Sequence, residues 1–313
     1  MYAESFNGLV KEICKEEKIE VEEMSYGYML KLKKDSKEHY IIGYRFELNN
    51  QVSAAIAKDK YATYELLKKN NIPVVEYKIL FNEESREKYC RKGSVEIATE
   101  YFYENNEHIV IKPNTGHEGI DVYFCDKKEK IKSILNKVYK QNNSIVLCPY
   151  YNIKTEYRTI YLNGQCMITY GKNIPYLIGD GKSNIKELLK KEQNLELEDI
   201  RKENLKDVDF NYIPKENEKV EIFWKHNLSG GAKPKILEDG ELKTKIQDIV
   251  RKTAEAININ FASIDVIETM QGELYLLEVN SGIFMKNFIE KHPEGRKIAK
   301  EIYSKAIKEI FKK

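Results

Sequence analysis

No apolar run in the chain approaches the roughly 20 residues that a membrane helix needs, and the opening stretch Met1–Glu17 lacks the apolar core of a secretion signal. Cysteine is scarce and spaced for neither of its structural uses. Cys14, Cys90, Cys125, Cys148 and Cys166 are odd in number and never closer than 18 residues, which excludes a CxxC metal or redox motif and a disulfide framework. A reducing cytoplasm is the expected setting. Charge of one sign is also missing: 52 Lys+Arg stand against 50 Asp+Glu, interspersed, for a net +2. That leaves no track for a nucleic-acid polyanion and no acidic tail, so neither nucleic acid nor membrane is an expected partner. Internal repeats and low-complexity linkers are absent. The abundance of Lys, Ile, Asn and Tyr is as readily a product of genomic base bias, so aromatic content decides nothing. What is present is length, since 313 residues bury a large core and suffice for two or three lobes.

The most informative stretch is Phe261–Gly282. It predicts a β-hairpin with its turn at Thr269-Met270-Gln271-Gly272. Ala262, Ile264 and Val266 alternate with Ser263, Asp265 and Ile267, while Leu274, Leu276, Glu278 and Asn280 share a face by the period of two. An even-numbered turn sets Asp265 opposite Leu276 and diagonal to Glu278, about 7–8 Å away. That gap suits Mg²⁺, which takes hard oxygen ligands and leaves positions for water and phosphate. A solvated surface hairpin fits less well, because Glu278 and Asn280 sit inside the otherwise apolar run Leu274–Asn280. A one-residue slip would move Asp265 to the other face.

Residues 1–50 predict a small α/β piece: a helix over Ser5–Lys18, a strand near Ile19–Met24, and paired strands at Tyr28–Lys33 and His39–Tyr44. Asp59 caps a predicted helix over Lys60–Lys69 that stops at Asn70-Asn71-Ile72-Pro73. Lys60 lies in its first turn, where a cation gains nothing from the helix dipole; an anionic partner or plain exposure accounts for it. In His108–Phe124 two apolar strands flank a loop with Gly116 and Gly119 three apart. Such glycines let backbone N–H groups approach a phosphate, and Lys112 at the strand end supplies charge; a hairpin with a plain flexible tip is the alternative. Ser144–Tyr151 predicts a strand running into a hinge, and Glu156–Leu162 another, with Glu156 and Arg158 on one face as a possible ion pair. Gly179-Asp180-Gly181-Lys182-Ser183 is not a P-loop, because Tyr176 occupies the position of the required glycine. It predicts a turn ahead of a helix over Asn184–Lys191, with Asn184 and Glu187 as a capping box. Gln193–Lys219 predicts a charged helix and excursion, Trp224–Ala232 a strand leaving for a glycine turn, and Glu241–Ile257 and Gly295–Phe311 amphipathic helices.

In order and spacing these pieces resemble the ATP-grasp superfamily, and within it carboxylate–amine ligases similar to glutathione synthetase and the ATP-grasp part of cyanophycin synthetase. The resemblance runs from about Val52 to Phe288. It rests on Asp59-Lys60 with Ile72-Pro73, Lys112 with its glycine loop, Glu156-Tyr157-Arg158, Asn227-Leu228 with Gly230-Gly231, and Asp265 with Leu277-Glu278-Val279-Asn280. It implies an α/β (α+β) fold of ATP-grasp type, with two lobes clasping ATP, 53–145 and 146–313, and a small N-terminal α/β lobe, 1–52. It further implies that Lys60 and Lys112 meet ATP phosphates under Gly116–Gly119. The backbone of Leu147, Cys148 and Tyr150 would then hold adenine and Glu156 the ribose. Asp265, Glu278 and Asn280 would bind two Mg²⁺, or Mn²⁺ in their place. Arg158, Lys225 and Asn227 would face the reacting carboxylate. The Gly-Asp-Gly-Lys turn resembles the cyanophycin type, which favours an amino-acid or peptide substrate; a homo-oligomer stays open.

Three features depart from that pattern. Lys225 stands where glutathione synthetase-like enzymes place arginine, the following turn is one residue shorter, and Asp121 replaces a glycine. The expected chemistry is attack of a carboxylate on the γ-phosphate of ATP, then displacement of phosphate by an amine. A phosphotransferase of the same architecture and a non-catalytic nucleotide-sensing module are the rival readings.

Overall fold

A computed structural model of the chain describes residues 2–82, 94–116, 119–174, 176–193, 205–206, 208–226, 228 and 232–312. The first segment folds as α1 (Tyr2–Glu16), β1 (Glu20–Met24), β2 (Met29–Lys34), β3 (Lys37–Ile42) and β4 (Arg45–Phe46), the strands forming an antiparallel sheet in that order. The helix starts and stops earlier than its periodicity predicts because Lys18 adopts φ 56°, a left-handed conformation that ends it.

Two helices follow, α2 (Gln51–Lys58) and α3 (Lys60–Lys69). The boundary of α3 is the one the sequence predicts, since the Asp59 carboxylate accepts from the Ala62 N–H at 2.8 Å. The next segment comprises β5 (Lys78–Phe81), α4 (Ser94–Glu104), β6 (Ile109–Pro113), β7 (Tyr123–Cys125), α5 (Lys128–Tyr139) and β8 (Ser144–Pro149). Its strands form a second antiparallel sheet, ordered β5-β8-β6-β7. The two helices bury Ala98, Phe102, Ile131 and Leu135 against one face of it.

The remainder builds the largest sheet from β9 (Ile153–Leu162), β10 (Gln165–Asn173), β13 (Lys233–Ile236), β14 (Phe261–Thr269) and β15 (Leu274–Asn280), in the order β13-β10-β9-β14-β15. Between β10 and β13 a small module with its own core holds β11 (Leu177–Ile178), α6 (Ile185–Gln193) and β12 (Lys219–Val220). Its helix begins at the predicted capping box: the Asn184 N–H donates to Glu187 and the Glu187 N–H to Asn184, each at 2.9 Å. α7 (Glu241–Ile257) separates β13 from β14, and α8 (Lys286–Lys291) and α9 (Gly295–Lys312) close the chain.

All nine residues of β14 are buried, because helices cover one face of the sheet and the first segment joins its other side. Ile264 and Val266 pack with Ile246 and Val250 of α7, while Phe261 packs with Phe46 and Tyr303. Asn49 secures that joint: its side-chain oxygen accepts from the backbone N–H groups of Asn260 (2.9 Å) and Phe261 (2.8 Å), and its Nδ2 donates to the Phe261 carbonyl at 2.7 Å.

Two expectations are corrected. Asp265 faces Glu278, not Leu276, because a bulge between Asp265 and Val266 shifts the register and leaves Val266 opposite Leu276. Trp224–His226 is not a strand; pairing there is confined to a bridge between Phe223 and Leu205. Most of the charged excursion 193–219 and the glycines 230–231 lie outside the described residues.

Candidate active site

Between the second sheet and the five-stranded sheet lies a cavity of about 1190 Å³. The segment after α3 ties the two sheets together: the Leu276 N–H donates to the Pro73 carbonyl and the Val75 N–H to the Leu276 carbonyl, both at 2.9 Å. Tyr64, Tyr77, Val110, Cys148 and Ile267 fill the seam.

From the second sheet, β6 carries Lys112 to the cavity wall, and strand follows strand around the glycine loop. Lys112 is 7% exposed, and its Nζ donates to the Tyr77 hydroxyl at 2.9 Å, which places the ammonium over the Tyr77 ring. Asn114 joins this strand end to the start of α3: its side chain accepts from the Tyr61 N–H at 3.0 Å and its carbonyl from the Lys60 N–H at 3.2 Å. Lys60 is therefore not exposed. It is buried, its Nζ donates to the Gly116 carbonyl at 3.2 Å, and burial pulls its pKa from 10.5 down to about 8. Lys225 holds the other end of the loop through the Gly119 carbonyl, also at 3.2 Å. Gly119 has φ 66°, which a residue without Cβ adopts at no steric cost.

The end of β8 and the residue after it contribute Cys148, Pro149 and Tyr150 to the wall, with the Tyr150 ring tilted against Phe124 at 4.6 Å between ring centres. Leu147, whose backbone is expected to act with theirs, buries its side chain in the helix-backed core on the far face of that sheet. Asn227 lies outside the described residues.

The five-stranded sheet turns a charged row toward the cavity. Register places Lys172 opposite Glu156, Arg158 opposite Asp265, and Asp265 opposite Glu278, so these side chains share one face. Asp265 is fully buried. Arg158 donates from Nε to Oδ1 at 2.7 Å and from Nη2 to Oδ2 at 2.6 Å, and Lys172 Nζ reaches Oδ2 at 2.9 Å. Burial alone would raise the Asp265 carboxyl; Arg158 and Lys172 outweigh it and hold the pKa below the usual carboxylate range. Lys172 also contacts Glu156, so the predicted Glu156–Arg158 pair is replaced by two crossed pairs. Burial raises the Glu156 carboxyl, Lys172 opposes the rise, and Asp265 adds to it. Glu278 and Asn280 line the cavity half-buried, and Asn280 Nδ2 donates to Glu278 at 3.1 Å.

Lys172 and Tyr77 are the members that the sequence did not disclose. The period of two in β10 puts Lys172 on the face of Tyr170, but nothing local shows that the face is a charged cavity wall.

These features are those of a known fold. Residues 57–199 match the RimK-like ATP-grasp domain. No curated protein sequence matches the chain. Among solved structures it is similar to a bifunctional glutathione synthetase from Pasteurella multocida, with TM-score 0.54 and 17% identity over 95% of this chain and 43% of that one. It is similar also to a D-alanine–D-alanine ligase from Bacillus anthracis, with TM-score 0.55 and 16% identity over 84% of this chain and 69% of that one. D-alanyl-alanine synthetase A from Vibrio cholerae gives TM-score 0.52 and 14% identity over 82% of this chain and 67% of that one. The chain thus spans less than half the length of the Pasteurella enzyme. Its fold is the ATP-grasp fold, with residues 57–199 matching the RimK-like ATP-grasp domain.

Proposed function

We propose that the chain is an ATP-dependent carboxylate–amine ligase that forms an amide or peptide bond through an acyl phosphate, with an amino acid or peptide as substrate. The observation that carries this reading is convergence: Lys60, Lys112, Arg158 and Lys225, from four separate segments, line one cavity together with Glu278 and Asn280. A carboxylate and a polyphosphate repel each other, and four cations in one hollow offset that repulsion.

On this reading Lys60 and Lys112 bind phosphates, and backbone N–H groups of the glycine loop approach them. The wall from Cys148 to Tyr150 holds adenine, and Glu156 accepts from the ribose hydroxyls. Arg158 and Lys225 face the reacting carboxylate, with Asn227 assigned to the same task by resemblance. A carboxylate oxygen attacks the γ-phosphorus and ADP leaves; the amine nitrogen then attacks the acyl carbon, phosphate leaves, and the nitrogen sheds a proton. Arg158 and Lys225 stabilise the oxyanion of that second step.

A divalent cation fits at Glu278 and Asn280, whose hard oxygens face the cavity from one strand; bound there, Mg²⁺ would neutralise phosphate charge. Asp265 joins such a set only by giving up contacts to Arg158 or Lys172. Among the described residues, no three His, Cys, Asp or Glu side chains gather as a metal cluster. A reducing cytoplasm is the proposed setting. Among the described residues no helix is long and apolar enough to cross a membrane.

The test is ADP release with carboxylates supplied singly and then with amines, followed by mass spectrometry. Turnover needing both, with a product one water lighter than their sum, supports the ligase. A stable phosphorylated product without an amide supports the phosphotransferase, and tight ATP binding without turnover the sensing module. Glu278→Ala is expected to lose ATP turnover while unfolding cooperatively like the unsubstituted chain.

A further inference from the structure

We infer that Lys172 stands in for a second divalent cation, so that this chain binds ATP with one metal ion, at Glu278 and Asn280, rather than two. The inference rests on the nucleotide reading above and concerns how that site balances its charge.

Three carboxylates share the cavity side of the five-stranded sheet: Glu156, Asp265 and Glu278. Two of them are bridged by one ammonium. Lys172 Nζ contacts Glu156 and lies 2.9 Å from Asp265 Oδ2, which is a cation's position between two hard oxygen donors. Both Asp265 oxygens also accept from Arg158, at 2.7 and 2.6 Å. The four side chains Glu156, Lys172, Asp265 and Arg158 therefore sum to zero charge. A divalent ion on Asp265 would be forced against the buried Lys172 ammonium and the partly buried Arg158 guanidinium.

Lys172 is also held in place. It is 4% exposed, its backbone sits in the ladder between Glu156 of β9 and Pro234 of β13, and its carbonyl is 3.0 Å from His226 Nδ1. What remains for a metal is one carboxylate and one amide oxygen, on Glu278 and Asn280. With phosphate oxygens and water that donor set suits a single Mg²⁺, which is commonly bound through one or two carboxylates and the substrate phosphates.

The experiment counts Mn²⁺ on the full chain saturated with a non-hydrolysable ATP analogue, by equilibrium dialysis and by electron paramagnetic resonance. Binding of the analogue is established separately by calorimetry. The expected result is one Mn²⁺ per chain with an uncoupled six-line spectrum, retained in Lys172→Arg. Lys172→Met, which keeps the length and drops the ammonium, is expected to take two Mn²⁺ with an exchange-coupled spectrum. Two coupled ions in the unsubstituted chain overturn the inference and leave the nucleotide reading standing, as does a folded Lys172→Met chain that holds only one. If Lys172→Met does not fold, the counts on the unsubstituted chain and Lys172→Arg decide. Failure of the analogue to bind overturns the nucleotide reading and this inference with it.

Discussion

Lys60 donates its ammonium to the carbonyl of Gly116 at 3.2 Å, so a buried cation at the start of a helix holds one end of the glycine loop. Burial lowers its pKa to about 8 against an ordinary 10.5. Between those values the unfolded chain binds more protons than the folded one, so stability rises with pH across that window. Below it the cost of keeping Lys60 charged is fully present, about 3 kcal/mol. Lys60→Met is expected to be more stable than the parent near neutrality, with the gain fading as pH climbs from 8 toward 10.5. Urea unfolding at several pH values checks it.

The same lysine makes nucleotide binding take up protons. A polyphosphate beside Lys60 restores its charge, so above pH 8 binding of an ATP analogue draws a proton from buffer, while near neutrality it draws little. Calorimetry in two buffers of different ionisation enthalpy measures the uptake. Uptake that is unchanged in Lys60→Met would assign it to another group.

Arg158 forms a bidentate pair with the fully buried Asp265, and losing the guanidinium leaves that carboxylate to Lys172 alone. Arg158→Met is expected to cost about 3–5 kcal/mol of folding stability. Arg158→Lys keeps the charge but loses the fork, and falls between. A loss below about 1 kcal/mol, the range of an exposed pair, would contradict the burial of this one.

Tyr77 accepts from Lys112 and donates to the Leu277 carbonyl at 3.0 Å, so it positions the Lys112 ammonium against β15. Tyr77→Phe, which leaves the Lys112 charge but removes its anchor, is expected to weaken ATP-analogue binding less than Lys112→Ala, which removes the charge and costs roughly 10- to 150-fold. Equal losses in the two variants would remove the positioning role.

Gly179 packs against the chain in the small module. A Cβ there would stand 2.1 Å from the Lys215 carbonyl oxygen and 2.8 Å from Pro214 Cβ. Gly179→Ala is expected to cost about 1–3 kcal/mol and to speed hydrogen exchange in β11 and β12, with analogue binding retained. Exchange unchanged in those strands would mean that the backbone yields without loss.

Elements with their own punctuation were legible in the sequence. Asp59 and Asn70 bound α3, and Asn184 and Glu187 start α6, because capping is decided within a few residues. Lys112, Gly116, Glu278 and Asn280 were legible as cavity residues for the same local reason. The bulge at Asp265 was not, since a shift of register depends on the partner strand. Nor was the exchange of partners that gives Glu156 to Lys172 and Arg158 to Asp265, which requires three strands to be laid side by side. Which face of β8 the Leu147 side chain takes was not legible either, because alternation fixes which residues share a face and only the helices α4 and α5 determine which face is covered.

The Asn49 clasp on Asn260 and Phe261 has a mechanical consequence. It fastens the first segment to the start of β14, where Phe46 and Phe261 already share a core. Detaching the first segment would therefore open the start of β14, a strand buried along its whole length.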